Sequence, residues 1–363
     1  MRLAVTGGGT GGHVFPALEV AEQARSAGWE VAYFGSKRGI EGKACQRAGI
    51  PFHAFPSEPL YRLYTLKGAR AAFNLLRSRE MAKKALMEFQ SHALFSTGGY
   101  SSAPVVSAAK SLGVPFVIHE QNTVPGRTNR ILGQKAFAVC TVFESTKKFF
   151  PSDRVRFTGL PIRRELRQSA QGSLPLTHSL EKAAPIVLVM GGSQGSEAIN
   201  DIALATGVRM ASTPVQWLHV TGAKHFEQTL ASKVKMAVRA DYTVKAYLDA
   251  TEMASALFSC TLAVCRSGAG TLAELAAFRK PSVLVPYPQA FGDHQSSNAL
   301  EFQAMGAADV VPQSEFRASV LESKIAGWLS DRGRCERAAE GLAAWDKPGA
   351  AAAILGILEE AAQ

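Results

Sequence analysis

The chain has 363 residues, with 40 Lys plus Arg against 30 Asp plus Glu and a formal charge of +10. At 47% hydrophobic and 19% charged residues it has the composition of a globular protein, which excludes disordered and fibrous classes, and its length favours about two domains that need no disulfides. The cationic excess fits an anionic partner (nucleic acid, an acidic lipid surface or a phosphorylated substrate) without choosing among them.

In chain order, the apolar strand Leu3-Ala4-Val5-Thr6 runs into GGGTGGH at Gly7 to His13. Too few apolar residues precede the glycines for a signal-peptide core, and no apolar stretch nears the roughly 18 residues of a membrane span. A cytoplasmic location is expected. A helix is predicted over 14–27, closed by Gly28, and a second strand over 31–36. Short apolar runs continue to alternate with helical patterns, the rhythm of βαβ units and a parallel sheet covered on both faces, so the fold class is α/β. The opening feature recurs where the strand 186–190 meets GGSQGS at Gly191 to Ser196, and the simplest account is two Rossmann-like domains. The boundaries read as an N-terminal domain 1–160, a linker 161–185 rich in Arg, Ser, Gln and Pro, a C-terminal domain 186–345, and an Ala-rich terminal helix within 346–363 that could cap either domain. Cys45, Cys140, Cys260, Cys265 and Cys335 are odd in number and scattered, with no C-x-x-C pair and no metal-ligand spacing. A reducing compartment and no bound metal are expected.

GGGTGG satisfies G-x-G-x-x-G, and a glycine turn ahead of a helix offers bare N–H groups to a phosphate. A dinucleotide site also needs an acid at the end of the second strand, where this chain has Gly35-Ser36, so NAD is disfavoured. The absence of G-K-[ST] excludes a P-loop. Tight turns alone would explain one glycine loop; two in matched positions, with STGGYSSAP at Ser96 to Pro104, favour phosphate binding. CRSGAGTLAE, Cys265 to Glu274, follows a strand predicted over 261–264 and opens a helix, with Ser267 to Gly270 as a third turn and Arg266 as a positive charge beside it. Thr271 and Glu274 have the spacing of a capping box, so Glu274 either closes the helix start or meets a ligand. After an apolar strand over 282–285, a Pro-rich polar loop carries Asp293, His294, Gln295 and Asn298, an amide and an imidazole placed to read hydroxyls beyond strand ends.

GGGTGGH, STGGY, HEQNTVPGRTNR, GLPIR, GGSQGS, CRSGAGTLAE and DHQSSNA come in an order that resembles the MurG family of N-acetylglucosaminyltransferases, from Val5 to about Ala308. The resemblance implies a GT-B fold, two Rossmann-like parallel-sheet domains facing a cleft, with the acceptor on the N-terminal side and UDP-GlcNAc mainly on the C-terminal side. The implied reaction moves GlcNAc from UDP-GlcNAc to the MurNAc 4-hydroxyl of undecaprenyl-pyrophosphoryl-MurNAc-pentapeptide (lipid I), giving lipid II and UDP in peptidoglycan synthesis. By motif matching, Thr10, Gly11 and Gly12 would line the sugar-nucleotide end and Asn122 would hydrogen-bond the GlcNAc. Arg163, Ser193 and Arg266 would meet the nucleotide or its charge. Ala269, Gly270, Thr271, Leu272, Ala273 and Glu274 would carry the diphosphate, with Glu274 on the ribose hydroxyls. Gln295 and His294 would read GlcNAc, Gly98, Gly99 and Tyr100 would take the acceptor diphosphate, and Leu248 would touch uracil through its backbone. At Leu248 the chain departs from the family, because the run from Tyr247 to Met253 is stretched.

The family reaction inverts at C1 by single displacement, which needs a base for the hydroxyl and positive charge for the leaving UDP. His13 is the favoured base and alternatively a diphosphate or loop contact; Asp293 and Glu120 are lesser candidates, and His119, His219 and His225 read as structural. Lacking a D-x-D pair in its loops, the chain is expected to use helix N-termini with Arg163 or Arg266 rather than a metal, and no cofactor. The segment 60–89 mixes Tyr61, Leu63, Phe73 and Leu76 with Arg62, Lys67, Arg70 and Arg77, which suits docking on an anionic bilayer, and so a peripheral position on the cytoplasmic face of the plasma membrane. No nucleic-acid motif is present. A UDP-GlcNAc 2-epimerase is the competing enzyme reading, and a non-catalytic nucleotide-binding module is a further one.

Overall fold

The computed structural model describes residues 1–59, 65–172, 184–192, 194–239 and 241–363. The chain forms two compact units, Met1–Arg163 with Lys347–Gln363, and Arg164–Asp346.

The first unit begins β1 (Arg2–Thr6), α1 (Gly11–Ser26), β2 (Glu30–Ser36), α2 (Glu41–Ala48), β3 (Phe52–Phe55) and α3 (Leu66–Phe89). It continues β4 (Ala93–Ser96), α4 (Ser102–Ser111), β5 (Phe116–Glu120), α5 (Arg127–Leu132), β6 (Ala138–Thr141) and β7 (Val155–Phe157). The seven strands pair in the order β3-β2-β1-β4-β5-β6-β7, all parallel. The second unit runs α6 (Arg164–Ala170), β8 (Ile186–Met190), α7 (Glu197–Arg209), β9 (Gln216–Val220), α8 (Phe226–Lys235), β10 (Tyr242–Lys245) and α9 (Ala250–Ser259). It ends β11 (Leu262–Cys265), α10 (Ala269–Ala277), β12 (Ser282–Leu284), α11 (His294–Ala304), β13 (Ala308–Val310), α12 (Ala318–Ser330) and α13 (Arg332–Trp345). Its six strands are parallel in the order β10-β9-β8-β11-β12-β13. The last helix, α14 (Ala350–Ala362), returns to the first unit.

In each unit the strand that carries the glycine loop is central. β1 lies between β2 and β4, and β8 between β9 and β11, which are the points where strand order reverses and where ligands of open α/β sheets collect. Leu3, Ala4 and Val5, like Val187, Leu188 and Val189, have no exposed surface, as strands covered by helices on both faces require. Ile354 and Leu358 of α14 join the core formed by Leu3, Val5, Val14 and Phe95, which is why that helix belongs to the first unit.

The segment 161–185, read as a linker, contains α6, anchored by fully buried Leu166 and by a two-pronged ion pair from Arg167 to Asp346; residues 173–183 lie outside the described ones. All five cysteines are free. Among the described residues no helix is long and apolar enough to cross a membrane.

Candidate active site

Helix α1 starts at Gly11, three residues earlier than its sequence suggests. Thr10 adopts an extended backbone (φ −145°) and its carbonyl already accepts from the N–H groups of His13 (3.2 Å) and Val14 (3.1 Å). The side chain of Thr10, in the cap position, makes no capping bond, and the N–H groups of Gly11 and Gly12 stand at the positive end of the helix. The loop beneath packs glycine on glycine: Gly8 N donates to Gly98 O (3.1 Å), and a Cβ on Gly99 (φ +88°) would lie 2.0 Å from Gly8 O. Gly98, Gly99 and Tyr100, between β4 and α4, thus meet the turn that carries Thr10, Gly11 and Gly12.

His13 joins these turns. Its Nδ1 is 2.8 Å from Thr97 O, while Thr97 Oγ1 donates to His13 O at 2.8 Å. A carbonyl only accepts, so Nδ1 carries the proton and the basic nitrogen of the neutral ring is Nε2. Gln121 Nε2 also donates to Thr97 O (3.0 Å), which draws the end of β5 to the same carbonyl.

Beyond β5, Glu120 is the organiser. Its buried carboxylate accepts from Asn122 N (3.0 Å), Asn122 Nδ2 (3.4 Å), Gly126 N (3.2 Å) and Asn129 Nδ2 (2.9 Å). Burial pushes its carboxyl up to about 7 against those four donors. Glu120 therefore shapes the turn that holds Asn122. His119 beside it is buried, bonded to Gly159 O (2.9 Å) and pushed down to about 4 by burial, so it stays neutral. Arg163 is the last residue of this stretch of the first unit.

In the second unit the ends of β8, β11 and β12 are tied together. Arg266 Nη2 donates to Ser196 Oγ and Gln313 Oε1 (both 2.7 Å), and Nη1 donates to Val285 O (3.0 Å) and Pro286 O (3.1 Å). Burial lowers its pKa, opposed by Tyr287, whose ring lies 5.4 Å away. These four partners are uncharged oxygens, so Arg266 braces the loops and keeps its charge within them. Ser193 lies outside the described residues.

Helix α10 starts at Ala269 after Gly268, again without a side-chain cap. Thr271 is its third residue and Glu274 its sixth, so the capping box expected between them does not form: a box needs Thr271 ahead of the helix, and glycine occupies the cap. The uncapped turn presents Ala269 and Gly270, with Glu274 half-buried one turn on. His294, Gln295 and Asn298 also differ from expectation, standing in the first turns of α11 rather than in a loop. Asp293, at φ +53°, ends the loop, and its Oδ1 accepts from Ser296 Oγ at 2.6 Å. Gln295 Oε1 accepts from Tyr287 N (3.0 Å) and Gln295 O from Ser267 Oγ (2.7 Å), which fixes α11 to β11's turn. A cavity of about 510 Å³ lies beside them, lined by Pro286, Pro288, Asp293, Ser296, Pro312, Gln313 and Ser314. Leu248 is buried just ahead of α9, whose start is a capping box between Asp249 and Glu252 (2.8 and 3.0 Å). That box occupies the stretched part of the Tyr247 to Met253 run.

Sequence reasoning passed over Thr97, Asn129, Ser196 and Gln313, which hold the candidates in place from 70 or more positions away in two cases, His13 to Thr97 and Arg266 to Ser196. Thr97 stands inside STGGY, where the glycines are the conspicuous signal. Glu41 was also missed; it is wholly buried and accepts from Gly9 N at 3.3 Å.

On α3, Leu66 is 93% exposed, Phe73 64% and Leu76 62%, and Lys67, Arg70 and Arg77 are exposed alongside them. Arg70 and Asn74 reach back to buried Glu58, which Arg38 also engages. The docking residues Tyr61, Arg62 and Leu63 lie outside the described residues.

Residues 3–141 match the glycosyltransferase family 28 N-terminal domain and residues 186–351 its C-terminal domain. A UDP-N-acetylglucosamine–N-acetylmuramyl-(pentapeptide) pyrophosphoryl-undecaprenol N-acetylglucosamine transferase of Exiguobacterium sp. is 35% identical over 367 aligned positions covering all of both chains. The chain belongs to this glycosyltransferase family. Acinetobacter baumannii MurG superposes with a TM-score of 0.79 at 28% identity over 99% of each chain. The fold is GT-B. The UDP-GlcNAc 2-epimerase of Neisseria meningitidis shares that fold (TM-score 0.70, 99% of this chain and 100% of that one) at 12% identity. In this chain the cap residues of α1 and α10, Thr10 and Gly268, make no side-chain capping bond.

Proposed function

We propose that this chain transfers GlcNAc from UDP-GlcNAc to the MurNAc 4-hydroxyl of lipid I, inverting C1 and releasing UDP, and so makes lipid II for the cell wall on which shape and division depend. The observation that carries this reading is end-to-end 35% identity with a transferase of that name. The 2-epimerase alternative has only a shared fold at 12% identity behind it.

In this reading His13 takes the proton of the attacking hydroxyl through Nε2, the nitrogen that the Thr97 contact leaves basic. Thr10, Gly11, Gly12 and Asn122 meet the sugar, and Gly98, Gly99 and Tyr100 the acceptor diphosphate. Charge growing on UDP is met by the open start of α10 from Ala269 to Glu274, by Arg163 and Ser193, and by the field of Arg266. Gln295 and His294 read the GlcNAc hydroxyls, and the backbone of Leu248 reads the uracil. No step calls for a metal, a cofactor or nucleic acid. Labelled GlcNAc is expected to pass from UDP-GlcNAc to lipid I, or a short-chain analogue, equally with and without EDTA. No transfer from protein that binds UDP-GlcNAc would overturn the acceptor assignment, and EDTA-sensitive transfer the metal-free one.

The same reading makes the protein peripheral at the cytoplasmic face of the plasma membrane, docked through α3. Its apolar anchors, Leu66, Phe73 and Leu76, stand among Lys67, Arg70 and Arg77, and each cation near an anionic surface contributes about 1 kcal/mol. In liposome flotation the protein is expected on anionic vesicles and not on neutral ones. Equal binding to both, or none to either, would remove the docking role.

A further inference from the structure

Behind the GGSQGS turn a buried polar chain crosses three elements. Tyr242 on β10 lies 2.9 Å from His219 Nδ1, His219 on β9 places Nε2 3.0 Å from Asn200 Oδ1, and Asn200 on α7 donates Nδ2 to Thr221 O at 3.2 Å. All three side chains are at most 1% exposed. Only one assignment of protons satisfies the chain. Thr221 O can only accept, so Asn200 turns its amide nitrogen there and its oxygen to the ring; Nε2 then carries the imidazole proton, and Nδ1 accepts from the tyrosine hydroxyl. The histidine is neutral, in keeping with burial that pushes it down to about 3.

The chain ends on the glycine turn. A Cβ on Gly195 (φ +75°) would lie 2.0 Å from Thr221 O, and one on Gly222 would lie 2.7 Å from Gly195 N, so the turn after β8 rests on the turn after β9 with backbone against backbone. Gly195 N in turn closes its own loop on Gly192 O at 2.9 Å. Any movement of the Thr221 carbonyl therefore moves Gly195. The other end cannot give way, because Tyr242 stacks on Trp217 (ring centroids 5.2 Å apart) and fills the place of a side chain at Gly207, where a Cβ would meet its ring at 2.7 Å.

We propose that Tyr242, His219 and Asn200 are positioning residues for donor binding, setting the backbone at Gly195 and Ser196 against the diphosphate of UDP-GlcNAc through the Thr221 carbonyl. The inference rests on the reading of that turn as part of the donor site. Asn200→Asp keeps the acceptor facing His219 and loses the donor to Thr221 O; Tyr242→Phe removes only the hydroxyl at the far end.

The test uses the full chain with UDP, UDP-GlcNAc and the short-chain acceptor. First, hydrogen exchange of the wild type is followed with and without UDP: protection of the 191–196 amides is expected, and its absence would sink the donor-turn reading and this proposal with it. Second, steady-state kinetics and UDP titration are run on both variants. Loss of one buried hydrogen-bond partner predicts donor KM and UDP Kd raised about tenfold in Asn200→Asp, and less in Tyr242→Phe, with acceptor KM and kcat within about twofold. If UDP protects the turn in the wild type while both variants keep wild-type donor KM, or lose donor and acceptor affinity alike, the chain is merely structural. Should Asn200→Asp not fold, Tyr242→Phe decides alone, since it leaves the packing of the ring in place.

Discussion

Replacing His13 by alanine is expected to lower kcat about a thousandfold while leaving UDP-GlcNAc binding within about threefold, the loss typical of a removed general base. The expectation follows from which nitrogen holds the proton. Thr97 O takes the Nδ1 hydrogen at 2.8 Å, so a neutral His13 has its lone pair on Nε2, and the reciprocal bond from Thr97 Oγ1 to His13 O keeps ring and backbone in register. The start of α1 lies at the same residues and turns its positive end toward them. The contrary result is equally readable: turnover reduced only a few-fold with donor affinity collapsed would make His13 a diphosphate contact, and Glu120, buried under four donors, could not take its place.

The parts of this site that sequence makes legible are those that depend on neighbours in the chain. A buried strand followed by glycines and an apolar helical period marks both β1–α1 and β8–α7, because strand, turn and helix are each dictated within a dozen residues. Local rules fail where a distant group decides. Gly11 and Gly12 read as loop by propensity, yet they begin α1 because Thr10 is extended and its carbonyl is taken by His13 and Val14. His294 and Gln295 follow two prolines and a glycine and so read as loop, whereas Asp293 in the left-handed region turns the chain straight into α11. Arg266 reads as a loose cation beside a phosphate turn. The structure spends its donors on oxygens contributed by three other loops, none of which sequence spacing could bring to it. The placement of α14 likewise depends on Ile354 and Leu358 meeting Leu3 and Val5, a pairing invisible to any local window.

The contact between the two glycine turns of the first unit leads to a second large effect, on stability. Gly99→Ala is expected to cost about 3 kcal/mol, against about 1 kcal/mol for Gly28→Ala, when urea unfolding of the full chain is compared with the wild type. Both glycines have positive φ, +88° and +81°, so both substitutions incur the strain of an L-residue in that region. They differ in what the new methyl meets. At Gly28 no atom of the described residues stands within 4 Å, whereas at Gly99 the carbonyl of Gly8 is 2.0 Å away, and as backbone bonded into the facing turn it cannot step aside. The difference between the two variants therefore isolates the closeness of the turns from the conformational strain they share, and equal losses would mean that the turns separate freely. Because Gly8 is held to Gly98 O by its own N–H, a methyl that drives these turns apart also shifts the start of α1. If these turns take the acceptor as proposed, folded Gly99→Ala protein should lose affinity for the acceptor and turnover together while its UDP affinity stays unchanged, a pattern that stability loss alone does not produce.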